Sequence, residues 1–308
     1  MELMTQAKTL KVHFGAADKA GITAFVEKVL SARIVAEQDK EVQALVFSFE
    51  EATFLFRPYH LVTLACFAEE LHKAGKKFSF EAVADSECEQ WIEALRLREY
   101  WQAGFDREKP TRISSENTTY LWKIAAAHMT QYADQIEGLI DERLGFTKDL
   151  IPFRTSLAEL FNNVLDHSKS LSSGYALCQY YQSEQKLCLS VCDFGLGIPT
   201  TLNDYWESIG KVRKADPEAL AHAVEKGVTS KSTPKNKGYG LFNIKTLTGE
   251  NSGSCLILSN FASLYSKQDG QLRTYPLQFE FPGTLVYIEI PTADLPQKEQ
   301  EIADEFEY

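Results

Sequence analysis

Three separated groups of residues in this chain have types and spacings that could do chemistry. In Glu159-Leu-Phe-Asn-Asn163-Val-Leu-Asp-His167, a carboxylate, an amide and an imidazole recur every fourth residue. On a helix that spacing stacks Glu159, Asn163 and His167 along one side. An amide oxygen is a neutral ligand for hard Mg²⁺, and a carboxylate one turn away can orient or deprotonate an attacking group. The second group is Asp193-Phe-Gly195-Leu-Gly197. An aspartate at a strand end can accept from an exocyclic amine, and the two glycines let backbone approach a flat base, which suits adenine. The third is Lys237-Gly238-Tyr239-Gly240-Leu241, a glycine turn entering a helix whose first N–H groups can hold phosphate. Just before it, Thr229, Ser230, Lys231 and Lys237 lie in an aperiodic run of hydroxyls and lysines, which reads as a lid over the phosphates. Taken singly, the first group also fits a solvated helix face and the second an ordinary turn. Their order and flanking pattern together read as a site for Mg²⁺ and ATP.

Such a site needs a helix, a strand end and a helix start, and the surrounding periodicity predicts all three. From Ser156 to Ser168, the apolar residues Leu157, Leu160, Phe161, Val164 and Leu165 form a face apart from the polar stripe. Lys186–Cys192 alternates as a strand and runs straight into Asp193. Upstream, Leu10–Phe14, Gln43–Phe49 and Lys77–Val83 read as strands, with helical patterns near 20–31, 59–74 and 86–97. Lys73-Ala-Gly75-Lys is a helix stop. Residues 102–117 are polar and aperiodic and read as a linker. From Thr119, the positions Leu121, Ile124, Ala125, Met129, Tyr132, Ile136, Leu139 and Ile140 recur at helical spacing to about Leu144. They predict one long amphipathic helix, a candidate homodimer surface. The division expected is 1–101 as a small α/β domain, 102–117 as linker, 118–296 as the nucleotide domain and 297–308 as an acidic tail.

Composition sets the outer limits. With 308 residues and 44% apolar content, the chain can build two cores. Its 32 basic and 43 acidic residues give a net charge of -11, which disfavours nonspecific binding to nucleic-acid backbone. No apolar run approaches membrane-helix length and the first residues lack signal-peptide order, so a soluble cytoplasmic protein is expected. The six cysteines include no CxxC pair and sit in apolar stretches, as structural thiols do; Cys188 and Cys192 should face the same side of their strand. His128 lies in the predicted long helix near its apolar face, where a core or interface role competes with a phospho-acceptor role.

Val42 to Tyr100 resembles a STAS domain, the fold of anti-sigma-factor antagonists, through its strand, Ala52-Thr-Phe54-Leu, the helix ending near Gly75, a further strand and Leu95-Arg-Leu97. Where many members carry a phosphorylatable hydroxyl, this chain has Phe56-Arg57-Pro58-Tyr59, which points instead to packing or docking. Residues from about 119 to 292 resemble the GHKL ATPases, the family of gyrase-, Hsp90-, histidine-kinase- and MutL-type ATP domains. The Glu159/Asn163/His167 helix is similar to the N-box, Asp193-x-Gly195-x-Gly197 to the G1 box and Gly238-x-Gly240-Leu241 to the G2 box. Pro282-Gly283-Thr284 is similar to the glycine-threonine turn into the last strand. The resemblance implies an α/β sandwich of Bergerat type, with a mixed sheet and helices on one face, beside the STAS-like α/β domain. It further implies Mg²⁺ on Asn163, adenine read by Asp193, phosphates at Gly238 and Gly240, and Glu159 as general base. The implied function is an ATP-binding signalling protein of the bacterial partner-switching kind, whose nucleotide state controls contact with a STAS or other regulatory protein, with or without slow hydrolysis. A serine/threonine kinase acting on a STAS partner, a sensor histidine kinase using His128 and a non-catalytic nucleotide scaffold stand as alternatives.

Overall fold

The computed structural model describes residues 7–15, 21–51, 54–107, 117–145, 147–167, 174–228, 240–266 and 271–298. The first part of the chain folds as β1 (Lys8–Phe14), α1 (Ile22–Gln38), β2 (Val42–Phe49), α2 (Pro58–Lys73), β3 (Lys77–Ala82) and α3 (Glu87–Ala94). The strands form a parallel sheet in that order, with Val12 opposite Phe47 and Phe47 opposite Phe80. Parallel neighbours require crossovers, and α1 and α2 supply them. Helix α1 runs to Gln38, beyond the expected end near 31, because no breaker intervenes and Phe25, Val29, Ala32 and Ala36 keep one buried stripe. Helix α2 starts at Pro58, where the missing N–H costs nothing, and the Arg57 N–H donates to His60 Nδ1 at 2.8 Å. It stops as the sequence suggests. Gly75 takes a φ of 70°, and the N–H groups of Gly75 and Lys76 donate to the carbonyls of His72 and Leu71 at 3.0 and 2.9 Å.

The remainder comprises β4 (Trp122–Lys123), a 3-10 turn (Ala126–His128), α4 (Met129–Leu144), α5 (Ile151–His167), β5 (Tyr175–Tyr181), β6 (Lys186–Asp193), α6 (Ile198–Ser208), α7 (Asp216–Ala223), α8 (Gly240–Glu250), β7 (Ser254–Ser266) and β8 (Leu272–Pro291). Their sheet has the order β4-β5-β6-β8-β7, and every pairing among its strands is antiparallel rather than mixed. The turn at 182–185 joins β5 to β6, a connection too short for a parallel crossover, and β8 runs opposite to both its neighbours.

Residues 119–144 do not form one helix. Thr118 bridges Gln179, and Trp122 and Lys123 pair with Ala176 and Tyr175, so the stretch before Ala126 is an edge of the sheet. Its helical spacing is coincidental. An edge strand buried on both faces is also apolar: Leu121 joins the core on one side, Trp122 and Ile124 the core on the other. The helix begins at Met129, and Tyr132, Ile136 and Ile140 are spent on packing within this chain.

Both faces of the second sheet are covered. Leu187, Leu189 and Val191 of β6 point to the core formed with α4, α5, α7 and α8. Cys188 and Cys192 point the other way, on the same side as expected. There they meet α2, which packs on β5 and β6 and carries Leu61, Val62, Ala65, Cys66 and Ala68 at or below 1% exposure. A helix apolar on all sides is buried on all sides. The sheet's own helices occupy one face as expected, while its other face is closed by the first part of the chain.

Candidate functional site

Asp193 ends β6 at a point where the backbone changes direction. It is 6% exposed, pairs with Thr284 of β8, and accepts from the Gly195 N–H at 2.8 Å. Burial raises its pKa to about 7, against the opposing hydrogen bonds from the backbone of Gly195 and Thr284. Gly283 shows how tightly the carboxyl is enclosed. Its φ is 80°, and a Cβ there would lie 2.2 Å from the Asp193 carbonyl oxygen and 2.7 Å from Asp193 Oδ1. Gly283 and Thr284 do not form the expected turn into a last strand. They lie inside β8, where the register shifts from Ser259↔Thr284 to Asn260↔Phe281, because β7 and β8 continue past this point as a long hairpin arm.

The glycines of Asp193-x-Gly195-x-Gly197 have separate physical reasons. Gly195 supplies the N–H to the carboxylate. Gly197, with φ of 81°, is the N-cap of α6, and a Cβ on it would meet Asn260 Oδ1 at 2.4 Å. The second glycine is thus demanded by Asn260. That side chain accepts from Thr200 N and Oγ1 at 3.2 and 3.1 Å and donates to the Leu196 carbonyl at 3.0 Å. Ser259 accepts from Ile198 N at 2.8 Å, donates to the Gly283 carbonyl at 2.7 Å and touches Thr284 Oγ1 at 3.1 Å. Sequence reasoning missed both residues. Their signal was a polar pair, now 0% and 5% exposed, interrupting the apolar run Cys255–Leu258.

Helix α5 brings the polar stripe to the same end of the sheet. Phe153, Leu157, Leu160, Phe161 and Val164 are buried, while Glu159 and Asn163 are half-buried on the other side. Leu165, at the edge of the apolar face, is 40% exposed instead of buried. Val164 Cγ1 lies so close to Gly174 that a Cβ there would be 2.3 Å from it, and 3.1 Å from the Cys192 carbonyl. The C-terminal half of α5 is therefore seated against the strand end that carries Asp193. Arg154 fixes the helix by pairing with Asp134 and Glu137 of α4. Of His167, only its place in the last turn of α5 is described.

Helix α8 starts at Gly240 and packs along α5. Leu241 is 9% exposed and sits in the core with Ile244 and Leu247, so its side chain anchors the start of the helix. Thr229, Ser230, Lys231, Lys237, Gly238 and Tyr239 lie outside the described residues. His128 is not on a helix face: it closes the 3-10 turn, caps α4 and packs 6.3 Å from Trp122, half-buried. All six cysteines are buried free thiols, as expected. Among the described residues no group of three or more His, Cys, Asp and Glu could hold a metal ion, and no helix is long and apolar enough to cross a membrane. No protein-family model and no curated protein matches this chain.

Proposed function

We propose that this chain binds Mg-ATP at the end of the antiparallel sheet, in the manner of a GHKL domain, and that the first hundred residues act as a STAS-like regulatory part. The observation that carries the reading is the buried Asp193 carboxyl. An acceptor enclosed by Gly195, Gly283 and Thr284, with its charge disfavoured by burial, fits a donor such as an exocyclic amine. The half-buried Glu159 and Asn163 on the adjoining helix fit the triphosphate end. The Asn163 amide oxygen is a neutral protein ligand that suits a phosphate-bound cation. Bound Mg-ATP would supply a transferable γ-phosphoryl group. Glu159, one turn before Asn163, would then orient or deprotonate the attacking water or hydroxyl without being needed to hold the nucleotide. Nucleotide state would bias the chain's affinity for a regulatory protein partner.

Calorimetry with Mg-ATP on three proteins tests this. Wild type should bind, Asn163→Ala should lose Mg²⁺-dependent binding with its fold intact, and Glu159→Gln should bind as wild type. Any turnover should fall about 10²-fold or more in Glu159→Gln, the usual scale of general-base catalysis. Wild-type protein that does not bind Mg-ATP, or Asn163→Ala with undiminished affinity, rejects the reading.

A further inference from the structure

The alternation of β6 puts the residues flanking Asp193 against a different part of the molecule from Asp193 itself. Cys192 and Phe194 belong to the core shared with α1 and α2. Cys66 of α2 donates its thiol to the Cys192 carbonyl at 3.3 Å. The Arg33 guanidinium of α1 lies 5.6 Å from the centroid of the Phe194 ring, and that ring meets Phe281, two residues before Gly283, edge-on at 5.8 Å. Arg33 is itself held in a fork: Nε and Nη2 donate to the Glu70 carboxylate of α2 at 2.6 and 3.1 Å, and Glu37 adds a contact at 3.0 Å. A guanidinium fixed by two carboxylates is a rigid platform, and a ring packed against it within cation–π range loses rotamer freedom. Phe194 is 4% exposed and covalently joins Asp193 to Gly195. The orientation of the peptide that donates to the Asp193 carboxylate is therefore set from behind.

We infer that Arg33 is a positioning residue for the Asp193–Gly197 loop, so that docking of α1 and α2 on the sheet and occupancy of the Asp193 site are reciprocally coupled. The coupling to nucleotide rests on the ATP reading above; the positioning does not. Reciprocity is a thermodynamic requirement: whatever seats Phe194 improves the site, and whatever fills the site strengthens the seat. A signal that loosens α1 from the sheet would lower ligand affinity without touching a ligand-contacting group.

The test is amide hydrogen exchange on nucleotide-free full-length protein, in wild type, Arg33→Met, Arg33→Lys and Phe194→Leu. Arg33→Met should speed exchange at Gly195 to Ile198 by at least about tenfold, while Leu189 and Val191 in mid-strand stay at wild-type rates. Arg33→Lys, which keeps the charge but not the fork, should fall between. Phe194→Leu removes the ring, leaves the Arg33–Glu70 pair, and should match Arg33→Met; it also serves if Arg33→Met does not fold. Unchanged exchange at Gly195 to Ile198 in the folded variants, or equal acceleration across all of β6, overturns the inference. In a parallel arm, Mg-ATP affinity should weaken at least fivefold in Arg33→Met with the preference over Mg-GTP reduced. Wild type that binds neither nucleotide rejects the ATP reading, and the exchange data alone then decide the positioning.

Discussion

A carboxyl that titrates near 7 because it is buried has consequences at the scale of the single residue. Its pKa is raised above the unfolded value, so the proton it holds stabilises the ligand-free fold fully below pH ~4, and that stability is lost as the pH rises through about 7. Asp193→Asn keeps the shape and removes the titration. The ligand-free variant should be more thermostable than wild type at pH 8, by up to about 4 kcal/mol, with the difference shrinking as the pH falls and vanishing below pH ~4, when both are scanned by calorimetry. A donor amine on the ligand favours the carboxylate. Nucleotide binding should therefore release a proton below pH 7 and tighten as the pH rises to about 7, levelling off beyond it. Calorimetric titrations in buffers of different ionisation enthalpy read that proton directly. Binding with no proton release at pH 6 would remove Asp193 from base recognition.

At the scale of the element, the site depends on strands that are locally irregular. The shift of register between β7 and β8 lets Gly283 adopt a left-handed φ of 80° and leaves room for the Asp193 peptide. Gly283→Ala meets both the strained backbone and a rigid backbone atom at 2.2 Å, which cannot rotate away as a side-chain end can. The expected loss is about 3 kcal/mol, from left-handed strain together with forced displacement of the strand. Urea unfolding should show the lower midpoint, and a variant as stable as wild type would mean that the bulge relaxes freely. The segment Phe56-Arg57-Pro58-Tyr59 has a comparable local logic. Arg57 lies 4.1 Å over the Tyr181 ring and pairs with Glu184 at 2.6 Å, so this segment is a clamp onto the second sheet.

At the scale of the whole molecule, the two sheets share one helix and one buried polar cluster. Glu69 of α2 is 1% exposed. It accepts from Tyr175 of β5 at 2.8 Å and Trp101 Nε1 at 3.1 Å, pairs with Arg107, and lies within 3.5 Å of Lys123 on β4 and 3.7 Å of Lys73. Burial opposes its charge, but the Tyr175 hydroxyl, Arg107 and Lys123 outweigh that and hold its pKa below the usual range. Its contribution to stability is therefore present above the unfolded glutamate pKa and lost on acidification. Wild type should unfold in a single calorimetric transition, since the core of the first sheet continues into the back face of the second. Glu69→Ala leaves buried donors and cations uncompensated and should cost about 3–5 kcal/mol, lowering that transition or splitting it in two. Two well-separated transitions in the wild type would refute the shared core.

Much of this was written in local sequence. The helix of α5, the strand of β6 and the stop at Gly75 follow from periodicity and cap chemistry, which act between residues a few positions apart. Spacing alone also put Glu159 and Asn163 on one stripe and Asp193 at a strand end. Where periodicity served two structures equally, it misled: Leu121 and Ile124 match a helix, yet Trp122 and Lys123 between them pair with β5, more than 50 residues away, and make the stretch an edge of the sheet. The roles of Ser259, Asn260 and Arg33 were not legible for the same reason. Each acts on the Asp193 loop across a large sequence separation, through contacts that exist only once β7 lies beside β8 and α1 and α2 close the back of the sheet. The sequence by itself determined which chemistry-bearing groups are present and which local elements carry them. Only the tertiary structure decided that the carboxyl is buried, which glycines are sterically required and what holds the loop from behind, because burial and packing belong to the assembled elements and not to any one of them.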